Sequence, residues 1–426
     1  MTVNVTNTVG ANNTIVLDGS SKIPAIDGSQ VTALSGSAFT TGTLATARID
    51  VGTGANQILQ LDANAKLPAL SATNLTNVPG PTVSTSDPAI DTNSTLGAKW
   101  VNKTSGEVYI CTDATTGANV WTNVGAGTGN IQFFHGKGTN YGYCVGGYPP
   151  HTNLIQKYSY ASDSDAVDAL QDMNVSTSVE AGSCSSATYG YMVIQGGGTF
   201  SSQGTITKFQ FNTSNNMTTV GNLTTGTTGR NQLIGTMSST YGYAMGGGEP
   251  TELDVIDKFP FASDVNATDV GNLTQSRRYG AGTCSFTHGY YAGGMSAPPY
   301  WNIIDKWAFA TDANATDVGN LTVAKGYMNS GVQSETYGYC AGGTTGSASN
   351  VIEKWSYATD ANATDVGDLL DSVNSLSCTN SATYGYRQGG SSYTDRIDKW
   401  SLSTDGNATD VGNLLSAIAT HVGCQY

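Results

Sequence analysis

From about residue 139 onward the chain is built of short runs in which apolar and polar residues alternate, divided by turns rich in Gly, Asn, Asp and Ser. One set reads "AGTCSFT", "GYYAGG", "NIIDKWAFA" and "ATDVGNL". Alternation of this kind predicts half-buried strands, so the set predicts four strands joined by tight turns. The set recurs. A Gly-Tyr phrase is centred on Gly142, Gly190, Gly242, Gly289, Gly338 and Gly385, at intervals of 47 to 52 residues. Each phrase leads to a glycine pair, from Gly146-Gly147 to Gly389-Gly390. An Ile-x-Lys-aromatic segment comes next, ending at Tyr158, Phe209, Phe259, Trp307, Trp355 and Trp400. A "TDVGNL" segment closes each copy, clear from Val220 onward and degenerate in the first.

A four-stranded sheet cannot cover both its own faces, whereas six packed radially cover one another and leave only short edges. Residues 129–426 are therefore expected to form a six-bladed β-propeller, with the glycine pairs where backbones crowd near the axis. The glycine pair, the later aromatic and the closing "VGNL" resemble kelch-type repeats, although Val and Gly stand where kelch repeats carry a second tryptophan. The final "THVGCQY" resembles a first strand. It is expected to complete the blade begun by residues 139–175, leaving "IQFFHGK" as a lead-in. The lysine repeated before each aromatic, Lys157 to Lys399, reads as a structural residue.

The front end is different material. "GANNTIVLDGSSKIPAIDGSQVTALSG" from Gly10 aligns with "GANQILQLDANAKLPALSATNLTNVPG" from Gly54 at an offset of 44. Isolated Ile, Leu and Val between small polar residues bury too little area to offset chain entropy in one copy. Residues 1–80 are thus expected to intertwine with sister chains as a homotrimeric β shaft. With "GTLATARIDVG" between the repeats, this segment resembles the shaft repeats of tailed-phage fibres. Residues 81–128 read as a Pro/Ser/Thr hinge, "VPGPTVSTSDP", and a small β module whose core is Trp100, Tyr109 and Trp121. That module resembles one common in phage fibre and tail proteins.

Composition narrows the chemistry. Charged residues are 12% of the 426, Gly numbers 53 and Tyr 22, an all-β profile. A net charge of −14 argues against nucleic acid as a partner. No run of 18 apolar residues is present, so no membrane insertion is expected, and the N-terminus lacks the look of a secretion signal. The seven cysteines contain no CxxC pair. Cys144 and Cys340 share a slot with Met192, Ala244, Tyr291 and Arg387, so they read as buried packing groups. His135, His151, His288 and His421 lack the spacing of a metal centre. Nothing marks a nucleophile or a pair of catalytic carboxylates, and no enzyme activity or cofactor is expected. The D-x-N-x-x-D spacing of Asp312, Asn314 and Asp317 is a weak calcium candidate, for which Asx turns are the plainer account.

The loops between second and third strands vary most: "YPPHTN", "GTFSSQGT", "GEPTELDV", "MSAPPYWN", "TTGSASN" and "SSYTD". All six emerge on one face of a propeller, and loops on a rigid scaffold carry recognition. Tyr148, His151, Tyr300, Trp301 and Tyr393 are the candidate sugar-stacking residues among them. The expectation is a bacteriophage virion fibre on the particle surface. Its N-terminal end would join other virion proteins, and its propeller tip would bind a host-surface glycan or protein. The alternatives are a decorative capsid or neck fibre without a receptor, and a polysaccharide-acting propeller enzyme.

Overall fold

The structure, a computed structural model, describes residues 80–125, 134–177, 182–194, 204–225, 230–248, 251–297 and 299–426. The chain divides into Met1–Pro81 and Thr82–Tyr426. The expected shaft lies outside the described residues, which fall almost entirely in the second unit.

Every regular element among the described residues is a strand, and the strands form seven four-stranded sheets. The first is the small module: Thr82–Ser84, Lys99–Asn102, Val108–Asp113 and Val120–Asn123 in that order. Tyr109, Cys111 and Trp121 are its buried core, and Trp100 packs edge-on to Trp121 with ring centroids 5.9 Å apart. The segment read as a hinge contributes an edge strand, since Thr82–Ser84 pairs in parallel with Lys99–Asn102. Its Thr-Val-Ser run suits a half-covered edge, and Pro81 falls just outside it.

The other six sheets are blades, numbered in chain order. Blade 4 shows the plan: Ala281–Cys284, His288–Ala292, Ile303–Ala308 and Thr316–Asn320, all antiparallel neighbours. The six first strands touch one another in a closed circuit: Val422–Gln425, Ser183–Ser185, Ile234–Met237, Ala281–Cys284, Val332–Gln333 and Ser377–Asn380. Blade 1 is completed as expected. Val422–Gln425 pairs with Tyr141–Val145, Gln425 opposite Gly142, so the C-terminal segment clasps the ring to Thr152–Ser159 and Val167–Thr177.

Register explains why the Gly-Tyr phrase and the aromatic recur together. Gly142 lies opposite Tyr158, Gly190 opposite Phe209, Gly242 opposite Phe259, Gly289 opposite Trp307, Gly338 opposite Trp355 and Gly385 opposite Trp400. The ring lies flat over the glycine: a Cβ on any of the six would come within 3.0 Å of ring atoms. The tyrosine after the glycine then packs on the aromatics of the following blade. Tyr143 meets Phe209 at 5.4 Å, Tyr191 meets Phe259 at 5.7 Å, Tyr243 meets Trp307 at 6.1 Å and Tyr386 meets Tyr158 at 5.6 Å between centroids. The glycine pairs sit where second strands turn into the variable loops, with φ of 64° and 101° at Gly293 and Gly294.

The lysines and the acidic loops turn out to be two halves of one joint. Lys208, Lys258, Lys306, Lys354 and Lys399 reach Asp264, Asp312, Asp360, Asp405 and Asp163 of the next blade at 2.5 to 2.6 Å. The asparagine two residues on accepts a main-chain N–H from the preceding blade: Asn222 N donates to Asn266 at 3.0 Å and Asn272 N to Asn314 at 3.1 Å. The glycine of "VGN" permits the approach. A Cβ on Gly271 would meet Ala313 O, and one on Gly319 would meet Ala361 O. Among the described residues, the joint between blades 1 and 2 is built without this ion pair. There Gln171 donates to Gln210 O and Asn174 to Met217 O.

This packing is open to mutation. Gly289→Ala drives a methyl into the Trp307 ring and is expected to cost about 1–3 kcal/mol, read as a lower thermal midpoint. Gly406→Ala, with nothing within 4 Å, is expected to stay within about 0.5 kcal/mol. The clasp carries a pH dependence through His421, next to the closing strand. It is fully buried, its Nε2 lies 3.0 Å from Gln388 O, and burial pushes its pKa down to about 4. The unfolded chain takes up that proton near pH 6.5, the folded one only near pH 4. Stability is therefore expected to fall as pH drops through that window, by about 3 kcal/mol from this group. Half-buried His135, likewise pushed by desolvation to about 4, adds to the same trend. His421→Gln should flatten the dependence of the midpoint on pH by about half; an unchanged slope refutes the assignment.

Candidate functional site

Second strands run from the first hairpin of a blade to its variable loop, so the variable loops and the connections between blades share one end of the ring, the tip face. On this face the structure brings three of the five candidate aromatics together. Tyr148 packs on His151 at 4.9 Å and edge-on to Tyr393 at 6.0 Å between centroids. Tyr148 and His151 come from the loop of blade 1 and Tyr393 from that of blade 6, its neighbour across the clasp. The loop of blade 1 is pinned by paired main-chain hydrogen bonds between Tyr148 and Ala419, 3.0 and 2.8 Å long. Tyr148 and Tyr393 remain 40% and 49% exposed, unusual for rings already in contact.

Tyr300 and Trp301 are elsewhere, on blade 4. Both are half-buried, and Trp301 Nε1 donates to Ser296 Oγ at 2.8 Å, within their own loop. They belong to the packing of that loop and do not join the cluster. The calcium candidates are engaged one by one: Asp312 by Lys258 Nζ, Asn314 Oδ1 by Asn272 N and Asp317 Oδ1 by Gly319 N. Among the described residues no group of three or more His, Cys, Asp or Glu is placed to hold a metal ion. All seven cysteines are free and buried, and burial pushes the Cys284, Cys378 and Cys424 thiols up to about 12.

A set of buried charges escaped the sequence reading. The residue between Ile and Lys of the third strand is Asp257, Asp305, Glu353 and Asp398 in blades 3 to 6, each fully buried. Its partners are Arg230 at 2.5 Å, Arg277 at 2.8 Å, Lys325 at 3.0 Å and Arg387 at 3.6 Å. Thr224 and Thr274 hydroxyls donate to the first two acids. In blades 1 and 2 the same position holds Gln156 and Thr207, and no cation is needed: Gln156 Oε1 accepts from Leu415 N. Burial lowers the pKa of Arg230 and raises that of Asp398, and each partner's charge opposes the shift. These pairs are sealed inside the blades; the first three hold connections to their strands, and the fourth joins two strands of blade 6.

The axis itself is closed. The lead-in enters at the end away from the tip face: Gly138 bridges Ser381, in the first hairpin of blade 6. Gly136 O accepts three side-chain amides, from Gln333 at 2.6 Å, Gln425 at 2.8 Å and Asn380 at 2.9 Å. Phe134 fills the opposite, apolar side beside Cys284 and Phe286. Further in, first strands meet at Gly235, Gly282, Gly331 and Gly423, where any Cβ would collide with neighbouring main chain or side chain. The space left along this part of the axis is about 30 Å³, enough for a water or two.

Above this collar, on the tip face, lies a second feature that the sequence did not announce. Gln232, Tyr279, Tyr327, Ser375 and Thr420 open the connections into five first strands, and all five have φ between 52° and 60°. Their main chains join blade to blade: Tyr279 N to Gln232 O at 3.0 Å, Ser375 N to Tyr327 O at 2.8 Å, Thr420 N to Ser375 O at 3.0 Å. Tyr279 and Tyr327 stack at 4.0 Å. Arg278 donates to Gln232 Oε1 at 2.5 Å and lies 3.5 Å from Glu252. Left-handed backbone is usually announced by Gly or Asn, and none of the five is either, so the sequence held no local signal for it.

No protein-family model matches the chain, and no curated protein matches it. Among solved structures, one titled "Structure of YjhT" matches with a TM-score of 0.49 and 10% identity, over 58% of this chain and 87% of that one. The propeller assignment rests on the sheet order and closure described above.

Proposed function

We propose that the chain is a structural fibre of a bacteriophage virion whose propeller tip binds a host-surface glycan during adsorption. The observation that carries this reading is the Tyr148–His151–Tyr393 cluster, with two rings exposed on a rigid tip face. Exposed aromatic rings are the usual seats for the apolar faces of sugars. The course of the chain supports it too, since the lead-in enters at the far end from these loops. The N-terminal repeats supply the trimer, the attachment to other virion proteins and the place on the particle surface. Three weak tips on one fibre gain effective affinity through multivalency. The propeller binds and carries out no reaction; calcium has no part in it.

The test is binding of the full chain to an array of bacterial surface polysaccharides, with Tyr148→Ala/Tyr393→Ala beside it. Loss of two stacking rings is expected to weaken binding about tenfold or more while the thermal midpoint holds. Equal binding by the variant removes the cluster from the site. No binding by the native chain sinks the receptor reading in favour of a decorative fibre, and shortened polysaccharide would favour an enzyme. Light scattering should give three times 44.1 kDa; a monomer breaks the fibre reading.

A further inference from the structure

Five of the six blade joints close a lysine onto an aspartate of the next blade, at 2.5 to 2.6 Å. At the sixth, between blades 1 and 2, the lysine is Lys157, and no carboxylate among the described residues pairs with it. The frame around it is otherwise that of a complete joint. Lys157 Nζ lies 5.2 Å from the centroid of the Tyr141 ring, as Lys208, Lys258, Lys354 and Lys399 lie 4.7 to 5.0 Å from theirs. Met217 N donates to Asp172 O at 3.2 Å, as Ala315 N does to Asn272 O at 2.8 Å. Asp172 N donates to Asn216 Oδ1, as Asn272 N does to Asn314 Oδ1, both at 3.1 Å. Three residues before Ala315 stands Asp312; three before Met217 stands Ser214, exposed and uncharged. The ammonium is held in its usual place, and only the acid is different.

The side chains beside this lysine have changed in one direction. Opposite Lys157 in register stands Val167, where the other five blades place a threonine. Val167 is 55% exposed and Leu170, on the same strand, 72%. They are the two most exposed large hydrophobic side chains of the propeller among the described residues. Leu170 N donates to Asp168 Oδ1 at 2.7 Å, the bond that Gly271 N makes to Asp269 Oδ1 at 3.1 Å. A leucine thus holds left-handed backbone, with φ of 58°, at a place that blade 3 gives to glycine. Strain kept for a side chain that stands in water points to a side chain retained for contact.

The five complete joints state what completes the sixth: an aspartate carboxylate. Aliphatic neighbours favour that carboxylate on a polypeptide, beside an aliphatic residue, over a sugar acid whose ring is covered in hydroxyls. We propose that Lys157, Val167 and Leu170 form a docking site for an acidic segment of a partner protein, an Asp or Glu next to an aliphatic residue. Its carboxylate takes the place beside Lys157 that Asp312 takes beside Lys258. The site lies on the outer strands of blade 1, apart from the aromatic cluster, and is independent of the glycan reading.

The test follows Leu and Val methyl NMR signals of the full, isotope-labelled chain as the peptides acetyl-Leu-Asp-Leu-amide and acetyl-Leu-Asn-Leu-amide are added. The Asp peptide is expected to shift the Val167 and Leu170 methyls and to bind up to about fivefold tighter than the Asn peptide. Ser214→Asp supplies from within the acid that the other joints carry. It should abolish this preference while the thermal midpoint holds or rises. Lys157→Met should make the two peptides equal, and Leu170→Gly should weaken both without lowering the midpoint. If neither peptide moves these methyls, or Ser214→Asp binds the Asp peptide as the native chain does, the assignment falls. Larger shifts with glucuronate would put a saccharide there instead, and shifts on concentrating the native chain alone would put a second copy there; either result overturns it.

Discussion

The ring depends on one contact repeated six times, a flat aromatic side chain lying over a glycine of the neighbouring strand. Gly289 beneath Trp307 and Gly338 beneath Trp355 leave no room for a methyl. With the ring pressed onto the sheet, its other face is open to the next element, and the tyrosine of the preceding blade takes it. Blade thickness, and so the angle between blades, is set by two planar groups, the flat ring and a tyrosine tilted 48° to 62° against it, rather than by branched side chains that pack in several ways. This is why the glycine, the tyrosine and the aromatic recur at fixed spacing while the loops between them vary without constraint.

How much of this was legible depended on where the partners of a residue come from. Partners inside the repeated phrase announced themselves: the six blades, the clasp by the last strand and the structural role of the lysines all derive from text that repeats. Partners outside it did not. Asp257, Asp305 and Glu353 sit in the repeated third strand, but Arg230, Arg277 and Lys325 come from connections that share no wording. In blade 6 the cation even moves to Arg387, the slot that elsewhere holds Cys144 or Ala244. One charge fills one space from two backbone positions, which a repeat search cannot see. The aromatic cluster was half legible: the residue types flagged all five candidates. Only the closure of blade 1 onto blade 6 decides that Tyr148 and Tyr393 meet, leaving Tyr300 and Trp301 to their own loop.

The buried pairs also mark where the ring is irregular. Blades 3 to 6 carry them; blades 1 and 2, on either side of the joint built without a Lys–Asp bridge, carry Gln156 and Thr207 instead. A buried pair costs desolvation that its attraction roughly offsets, so four of them add little net stability. Their effect is on choice. An acid in blade 4 accepts only a register that delivers Arg277, and misplacing that connection strands a charge in the core. The neutral positions lie where the chain must close last, and there a misplaced connection leaves no charge stranded.

A closed axis narrows what the molecule can do with its tip. With Phe134 and Gly136 seated at one end and the glycine collar beyond them, nothing passes through the ring. Any ligand of the tip therefore meets only the surface formed by the loops. The lead-in that fills the far end is also the only covalent route to the upstream chain. A pull along the chain is therefore delivered first to the three amides that hold Gly136 O, which come from blades 5, 6 and 1. The strand that clasps the ring, Val422–Gln425, supplies one of them, so tension meets the closure at its own hydrogen bond and is shared with two neighbouring blades. Two of those blades, 6 and 1, bear the aromatic cluster. The anchorage of the lead-in and the aromatic cluster thus share blades 6 and 1, while the sealed ion pairs run from blade 3 round to blade 6.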